Sequence, residues 1–232
     1  MVYDELDVEA LTLDVFGTIL NLSGSLTPVI KQFLMDKNSA LDAADMWSQF
    51  RVRQRIEQYQ DNLLMVGHTG YLEAVRRAFL YVLRLNKIPY TGGDVEGFLE
   101  SWKELIPFDD ALEGLNTLKG RYELVVLSNG EEWFLRHLAK NRIRFDFNRI
   151  ISVQTFGAFK PHPSVYRGCA RLLDRDLHEL MMVSSNSFDV MGARACGLEA
   201  AWIKRNDLPY EESPYRPTMV VKDFYELSNA LP

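Results

Sequence analysis

The side chain best suited to chemistry is the carboxylate of Asp14, which stands in the middle of the run Leu11–Thr18. A carboxylate at the carboxyl end of a buried strand lies in the crevice where open α/β sheets bind their ligands. No second carboxylate stands nearby, because Phe16 occupies the position two residues further on. The motif therefore predicts a carboxylate nucleophile without an acid beside it, which suits a leaving group that needs no proton.

Three later strand ends carry polar residues that the strands themselves do not need. Ser128 and Asn129 close one predicted strand, and Lys160 follows the next one. The third group is Ser184-Ser185-Asn186-Ser187-Phe188-Asp189, which closes another strand. Parallel strands end at the same edge of their sheet, so we expect these side chains to converge with Asp14 on one crevice.

Each of these groups also has a purely structural interpretation. Ser-Asn-Gly after a strand is typical of a turn or a helix cap, and Lys160-Pro161 is typical of a solvated loop. Asn186 could cap the helix that follows, and Asp189 could occupy its first turn, where the helix dipole favours a carboxylate. Their combination at one sheet edge favours a catalytic site.

The predicted elements divide the chain into a sheet-forming core and a helical insertion. After a strand at 10–15, the apolar periodicity predicts four helices with no strand between them, at 26–36, 40–62 (with Ser39 as its N-cap), 69–86 and 93–104. From about Asp109 helices and strands alternate, which predicts a mostly parallel sheet. We therefore expect a Rossmann-like α/β core formed by 1–21 and 106–232, covered by a helical cap domain at 22–105.

The composition excludes several classes of partner. The 232 residues carry 26 Lys and Arg against 32 Asp and Glu, a net charge of −6, which argues against nucleic acid and anionic membranes. The acidic N-terminus has no long apolar run, so neither a signal peptide nor a membrane span is predicted. Cys169 and Cys196, the only cysteines, lie in apolar helical patterns that favour core packing in a reducing compartment. A cytoplasmic location is expected.

The four polar groups together resemble the haloacid dehalogenase superfamily, and within it the (S)-2-haloacid dehalogenases. The resemblance covers residues 10–20 and about 107–205. Phosphatases of the superfamily carry Asp-x-Asp-x-Thr in the first group and acidic Mg²⁺ ligands in the fourth, whereas this chain has Phe16 and Ser184 at two of those positions. Because Mg²⁺ needs carboxylate or phosphate oxygens, the resemblance implies a site with no metal and no cofactor.

The resemblance implies hydrolysis of short (S)-2-haloalkanoic acids to (R)-2-hydroxy acids through an aspartyl ester. Asp14 would attack the carbon that bears the halogen, and water would then cleave the ester. Lys160 would keep Asp14 ionised, since an opposite charge favours the charged form. The catalytic residues implied are Asp14, Lys160, Asp189, Thr18, Ser184 and Asn186. The substrate-binding residues implied are Arg51, Ser128, Asn129, Phe16, Phe188 and Tyr166.

The resemblance also implies a halide cradle made of Asn129, Phe188 and one arginine from the cap. Arg51 and Arg53 are both candidates, but residues two apart point in different directions around a helix, so only one can face the core. Arg51 follows an aromatic residue, as in the family pattern Trp-Arg-x-Lys-Gln, and is preferred. Tyr166 is either a hydroxyl close to the nucleophile or a core aromatic.

The chain departs from the family pattern at two positions, and two rival functions stay open. Phe16 stands where the best-known members carry tyrosine, and Phe188 replaces a tryptophan; both changes are expected to alter substrate preference. One rival is a phosphatase of the same superfamily, and the other is a protein that binds a small carboxylate without turnover. Assembly as a homodimer is expected from the family.

Overall fold

A parallel β-sheet forms the centre of the protein. The computed structural model describes residues 6–232, so the expectations for residues 1–5 lie outside it. Within that range the strands are β1 (Ala10–Leu13), β2 (Glu123–Ser128), β3 (Arg149–Ser152), β4 (Leu180–Ser184), β5 (Glu199–Ile203) and β6 (Met219–Val221). They pair in the order β3-β2-β1-β4-β5-β6, and every pairing is parallel. The predicted α/β sheet architecture is confirmed.

The central strands read as continuous apolar runs because helices cover both faces of the sheet. All residues of β1 and β4 are buried, and β2 is buried from its second residue onward. The chain leaves β1 toward β2 on one side and later returns to β4 on the other. The strand order therefore changes direction beside β1, which is the position where open sheets of this type form their ligand crevice.

Four helices follow β1 and form the predicted cap. They are α1 (Leu22–Asp36), α2 (Ala43–Leu63), α3 (Tyr71–Leu85) and α4 (Gly92–Ser101). Their facing sides carry aromatic rings that stack closely, with the Phe79 and Phe98 centroids 4.0 Å apart and Phe50 5.4 Å from Phe98. Burial of such rings supplies most of the stability of a small helical layer.

All four cap helices begin at residues other than those predicted: α4 begins one residue early, and α1 begins at Leu22, four residues early, because Asn21 caps it. Ser39 is not the N-cap of α2; Asp42 is, and its carboxylate accepts hydrogen bonds from the backbone N–H groups of Ala44 and Asp45 at 2.8 and 3.3 Å. Asp is as effective a cap as Ser and stands directly before the first helical turn. The helix α3 begins at Tyr71 and not at Thr69, because Gly70 adopts a φ of +115°.

The remaining helices pack on the two faces of the sheet. They are α5 (Ala111–Leu118), α6 (Glu132–Leu138), α7 (Pro163–Leu173), α8 (Ser187–Cys196) and α9 (Phe224–Ala230). Cys169 and Cys196 are both buried and unpaired, as predicted. None of the helices within 6–232 combines the length and apolar character required to cross a bilayer.

Candidate active site

Asp14 is the first residue after β1 and lies at the bottom of a pocket between core and cap. Its side chain is almost fully buried, and its oxygen Oδ2 accepts hydrogen bonds from the Thr18 hydroxyl at 2.8 Å and the Asn186 amide at 2.9 Å. The other oxygen, Oδ1, lies 3.5 Å from the ammonium of Lys160. One oxygen is thus fixed by neutral donors, and the other is oriented by a single cation.

The electrostatic environment of Asp14 contains opposing contributions. Burial raises the pKa of Asp14 above its ordinary value of 3.8, and the nearby Asp189 acts in the same direction. The Lys160 ammonium and the hydrogen bonds from Thr18 and Asn186 lower it. A carboxylate that is desolvated but still paired is poised to act as a nucleophile, because little water must leave it before attack.

Lys160 is held between two carboxylates and is not part of a solvated loop. Its side chain is 1% exposed, and its Nζ lies 2.8 Å from Asp189 Oδ2 in addition to the contact with Asp14. The hydroxyl of Tyr166 donates a 2.8 Å hydrogen bond to the other oxygen of Asp189. Tyr166 is therefore a core aromatic whose hydroxyl contacts Asp189, with no hydrogen bond to Asp14. Burial raises the pKa of Tyr166 well above its ordinary value, so the hydroxyl stays protonated and remains a donor.

The loops after β1 and β4 are joined by side chain to backbone hydrogen bonds. The Ser185 hydroxyl donates to the carbonyl of Gly17 at 2.7 Å, and its N–H donates to the Thr18 hydroxyl at 2.8 Å. Asn186 stands at the N-cap position of α8, but its side chain makes no capping bond and contacts Asp14 and the Phe16 carbonyl. The interpretation of Asn186 as only a cap is therefore wrong.

Two of the implied site residues lie behind the pocket. The Ser184 hydroxyl accepts a 3.1 Å hydrogen bond from the backbone N–H of Asn186 and makes none to Asp14 or Lys160. Ser128 is buried, and its hydroxyl finds no hydrogen-bond partner among residues 6–232. The structure thus brings Asp14, Lys160, Asn186 and Asp189 together directly, and Ser184 acts only on the backbone of Asn186.

The cap contributes the opposite wall of the pocket through helix α2. The pocket between the two layers has a free volume of about 30 Å³, within a space of about 390 Å³ that includes its open mouth. The core side of the wall comprises Asp14, Phe16, Asn129, Lys160, Asn186 and Phe188, and the cap side comprises Arg51, Gln54, Arg55, Gln58 and Tyr71.

The structure places Arg51 at the pocket and turns Arg53 away from it. Arg51 lines the cavity and donates a hydrogen bond to the side chain of Gln54. Arg53 donates to Glu57 at 2.7 Å, and its guanidinium lies 4.2 Å from the ring centroid of Tyr81. Of these two arginines, only Arg51 can therefore contact a molecule bound beside Asp14.

Four cap residues of the pocket wall are absent from the residues identified by sequence. Gln54, Arg55 and Gln58 lie three, four and seven positions after Arg51, the spacing of one helix face. That spacing is the signal that could have found them. Tyr71 carries no comparable signal; it stacks on Phe16 with ring centroids 4.2 Å apart.

The backbone that carries Lys160 is held by hydrogen bonds from both layers. Asn62 of α2 bonds to both backbone groups of Phe159, at 2.9 Å to the N–H and 2.8 Å to the carbonyl. Asn129 accepts a 2.9 Å hydrogen bond from the Lys160 N–H and donates a 2.7 Å one to Gln58. The cap therefore helps to fix the loop that carries Lys160 as well as covering it.

The sequence matches a family description over residues 8–197, and that description is haloacid dehalogenase-like hydrolase. The chain belongs to this family. Its haloacid dehalogenase-like fold is seen in the L-2-haloacid dehalogenase from Xanthobacter autotrophicus, which superimposes with a TM-score of 0.85 at 23% identity, covering 96% of this chain and 97% of that one. A second structure of the Xanthobacter enzyme holds chloropropionic acid covalently bound and has a TM-score of 0.83.

Two curated relatives of this haloacid dehalogenase-like hydrolase match it over nearly their whole length. Haloacetate dehalogenase H-2 of Moraxella sp. (strain B) is 27% identical, with 92% of this chain and 93% of the relative covered. (S)-2-haloacid dehalogenase 2 of Pseudomonas sp. (strain CBS-3) is 23% identical, with 97% and 96% covered. The homology therefore extends through both the core and the cap.

Proposed function

We propose that this hydrolase is a metal-independent dehalogenase that converts short (S)-2-haloalkanoic acids to (R)-2-hydroxy acids. The observation that carries the proposal is the arrangement around Asp14, whose Oδ1 atom faces the Lys160 ammonium at 3.5 Å in a pocket that Arg51 also lines. The position two residues after Asp14 is occupied by an aromatic ring and supplies no acid. The names of the relatives that match over the full length support the same reaction.

In the first step Asp14 attacks the carbon that bears the halogen from the side opposite to it. A carbon–oxygen bond forms as the carbon–halogen bond breaks, and the halogen leaves with the bonding electrons as halide. Arg51 and the second amide hydrogen of Asn129 are the donors available to the halide at the pocket wall. Charge-assisted donors in a water-poor pocket stabilise such a developing anion strongly.

In the second step water cleaves the ester between Asp14 and the product. The water oxygen adds to the carboxyl carbon of Asp14, and the bond between this carbon and the ester oxygen breaks. The hydroxy acid, which keeps the ester oxygen as its hydroxyl, and one proton are released. Asp189 is fixed by Lys160 and Tyr166 at 2.8 Å each, and Asn186 contacts Asp14 at 2.9 Å. These residues are the groups positioned to orient the water and to assist its deprotonation.

The products released distinguish the proposed dehalogenase from a phosphatase and from a non-catalytic carboxylate binder. Halide release from each enantiomer of 2-chloropropionate is the direct test, with chloroacetate and fluoroacetate alongside. Hydrolysis of p-nitrophenyl phosphate in the presence of Mg²⁺ serves as the control for a phosphatase. Release of chloride from the (S) enantiomer alone supports the proposal. Phosphate release without chloride release would favour the phosphatase, and tight carboxylate binding without either product would favour the non-catalytic binder.

Activity is expected to survive treatment with EDTA unchanged. The place between the two carboxylates of the site holds the Lys160 ammonium, 2.8 Å from Asp189 and 3.5 Å from Asp14. A divalent cation would have to displace this lysine and would gain no ligand from Phe16, whose ring is stacked on Tyr71. The measurement is the rate of halide release before and after exhaustive chelation. Loss of activity that Mg²⁺ restores would contradict the proposal.

The rate is expected to fall in acid at a midpoint above the ordinary aspartate value. Only the ionised form of Asp14 is a nucleophile, and burial raises the pKa of Asp14 above 3.8. As pH decreases, Asp14 therefore becomes protonated earlier than a free aspartate would. The measurement is kcat/KM across the acid range, with circular dichroism at each pH to show that the fold persists. A midpoint at or below 3.8 in a folded enzyme would contradict the assignment.

A further inference from the structure

The face of α2 that lines the pocket is polar along its whole length. Arg51, Gln54, Arg55 and Gln58 all line the cavity, and together we call them the polar face of α2. A cap helix that receives the alkyl chain of a substrate would be expected to present aliphatic side chains here, because alkyl groups are stabilised by apolar surface. This helix presents two guanidinium and two amide groups.

The rest of the wall carries aromatic rings in place of aliphatic side chains, and these rings have little freedom to move. Within residues 6–232 no aliphatic side chain lines the pocket, and its apolar surface comes from three aromatic rings. Phe16 is stacked on Tyr71 at 4.2 Å and lies 5.8 Å from the ring of Phe134. A Cβ atom at Gly130 would come within 3.0 Å of the Phe16 ring, so this ring is packed tightly on that side as well. A longer alkyl group could not push Phe16 aside without loss of packing.

Neither arginine of the polar face forms an ion pair within residues 6–232; Arg51 bonds to Gln54, and Arg55 is the one at the mouth of the pocket. Its guanidinium lies 4.9 Å from the ring centroid of Phe188, at the partly solvent-exposed mouth of the pocket. Among the residues that the structure describes, no carboxylate comes within 4.0 Å of it, whereas Arg53 is paired with Glu57. Partial burial lowers the pKa of Arg55, yet arginine remains charged in proteins. An unpaired guanidinium facing a pocket is a site for an anion.

The charges of the pocket fit an acid with one carboxylate. Arg51, Arg55 and Lys160 carry three positive charges against the carboxylates of Asp14 and Asp189 at the pocket, and the carboxylate of Glu211 acts on Arg55 from beyond the pocket wall. Displacement turns Asp14 into a neutral ester and leaves two anions, the substrate carboxylate and the halide. Arg51 stands beside Gln54, and Arg55 stands beside Phe188, so the two guanidiniums can each hold one anion.

We propose that the polar face of α2 makes this pocket selective for two-carbon haloacids, and that Arg55 is the specificity-determining residue that binds their carboxylate. An ethyl or longer substituent at the reacting carbon would cover the guanidinium and amide groups without replacing their hydrogen bonds to water, which is costly. The proposal rests on the proposed dehalogenase function and specifies its substrate. Haloacetate is also the substrate named for the Moraxella relative.

The test compares chloroacetate with (S)-2-chlorobutyrate in three forms of the full-length protein. Wild type is expected to prefer chloroacetate by about 100-fold in kcat/KM, the scale on which a pocket discriminates a few methylene groups. Arg55→Leu is expected to raise KM for both acids, because both lose the carboxylate contact, and to raise it about tenfold less for chlorobutyrate, because leucine offers apolar surface to the ethyl group. Arg55→Lys should retain the preference of wild type. Arg53→Leu, the same change on the other side of α2, is the matched control and should also retain it.

A second measurement does not depend on turnover and separates the two proposals. Isothermal titration with acetate and with butyrate should show tighter binding of acetate by wild type and loss of that difference in Arg55→Leu. If no haloacid releases halide but this pattern is found, the dehalogenase function fails and the acid specificity stands. If halide is released but chlorobutyrate is hydrolysed as readily as chloroacetate, the specificity fails. An unchanged preference in Arg55→Leu would overturn the role of Arg55.

Discussion

Replacement of Asp14 by asparagine is expected to abolish halide release, with a loss in kcat on the order of 10⁴-fold or more, as for removal of an enzymatic nucleophile. An amide is a poor nucleophile and would not form the ester. The substitution should preserve the fold, because the hydroxyl of Thr18, now within 2.8 Å of the carboxylate, can hydrogen-bond to the amide oxygen. The measurement is chloride release, with the melting temperature as the check on folding.

The covalent step is tested by the origin of the product oxygen. In a single turnover in H₂¹⁸O with enzyme in excess, the oxygen of the product should come from Asp14, and the heavy isotope should appear in Asp14. Further turnovers should label both. Inversion at the carbon does not decide the matter, because direct attack of water also inverts. Heavy oxygen in the product of the first turnover, with none in Asp14, would rule out the ester.

Two further substitutions serve as controls for the two steps. Lys160→Ala is expected to be severe because it removes the cation 3.5 Å from Asp14 and leaves Asp189 without its partner. Asp189→Asn is expected to slow hydrolysis of the ester more than its formation. Mass spectrometry of this variant with substrate should then detect the modified enzyme, which wild type should not accumulate.

Truncation of Arg51 is expected to lower kcat by about 10²-fold or more, as for loss of an oxyanion-type donor. Its guanidinium lines the pocket and would contact the departing halide, so its contribution is largest in the transition state. The measurement is kcat for chloroacetate in Arg51→Ala. A change confined to KM would indicate that Arg51 binds the ground state and the transition state equally.

Arg53→Ala is the matched control for this prediction. Arg53 is paired with Glu57 and lies over Tyr81, outside the pocket, so its truncation should have a mild effect on kcat. The reverse pattern would assign the cradle to Arg53. Mild effects in both variants would remove Arg51 and Arg53 from the mechanism.

The parts of the site that follow a strand of the sheet could be predicted from the sequence. Topology alone places Asp14 after β1 and Asn186 after β4 at the same edge, and the structure joins them at 2.9 Å. Lys160 could be expected nearby for the same reason. Its near-complete burial could not, because the burial depends on Asp189 and on the cap that closes over it.

The contribution of the cap could not be predicted to the same extent. Helical periodicity gave the existence of α2, but which of its faces meets the core is decided by packing between layers distant in sequence. Arg55 and Gln58 therefore went unrecognised although they share a face with Arg51. The boundary error at Ser39 has a local cause, since Asp42 offers an equivalent cap three residues later.

The two hydrogen bonds between Asn62 and Phe159 couple the position of the cap to that of the loop that carries Lys160. Lifting α2 to admit substrate or discharge product would break them and would also separate Gln58 from Asn129. With the cap open, the loop that carries Lys160 would be held by hydrogen bonds from the core alone. Each bond contributes only about 1 kcal/mol, and the stack of Phe16 on Tyr71 would also have to part for the cap to open. A cap movement that breaks these bonds would therefore also loosen the loop that carries Lys160, and under the proposed function such a movement can set the pace of turnover.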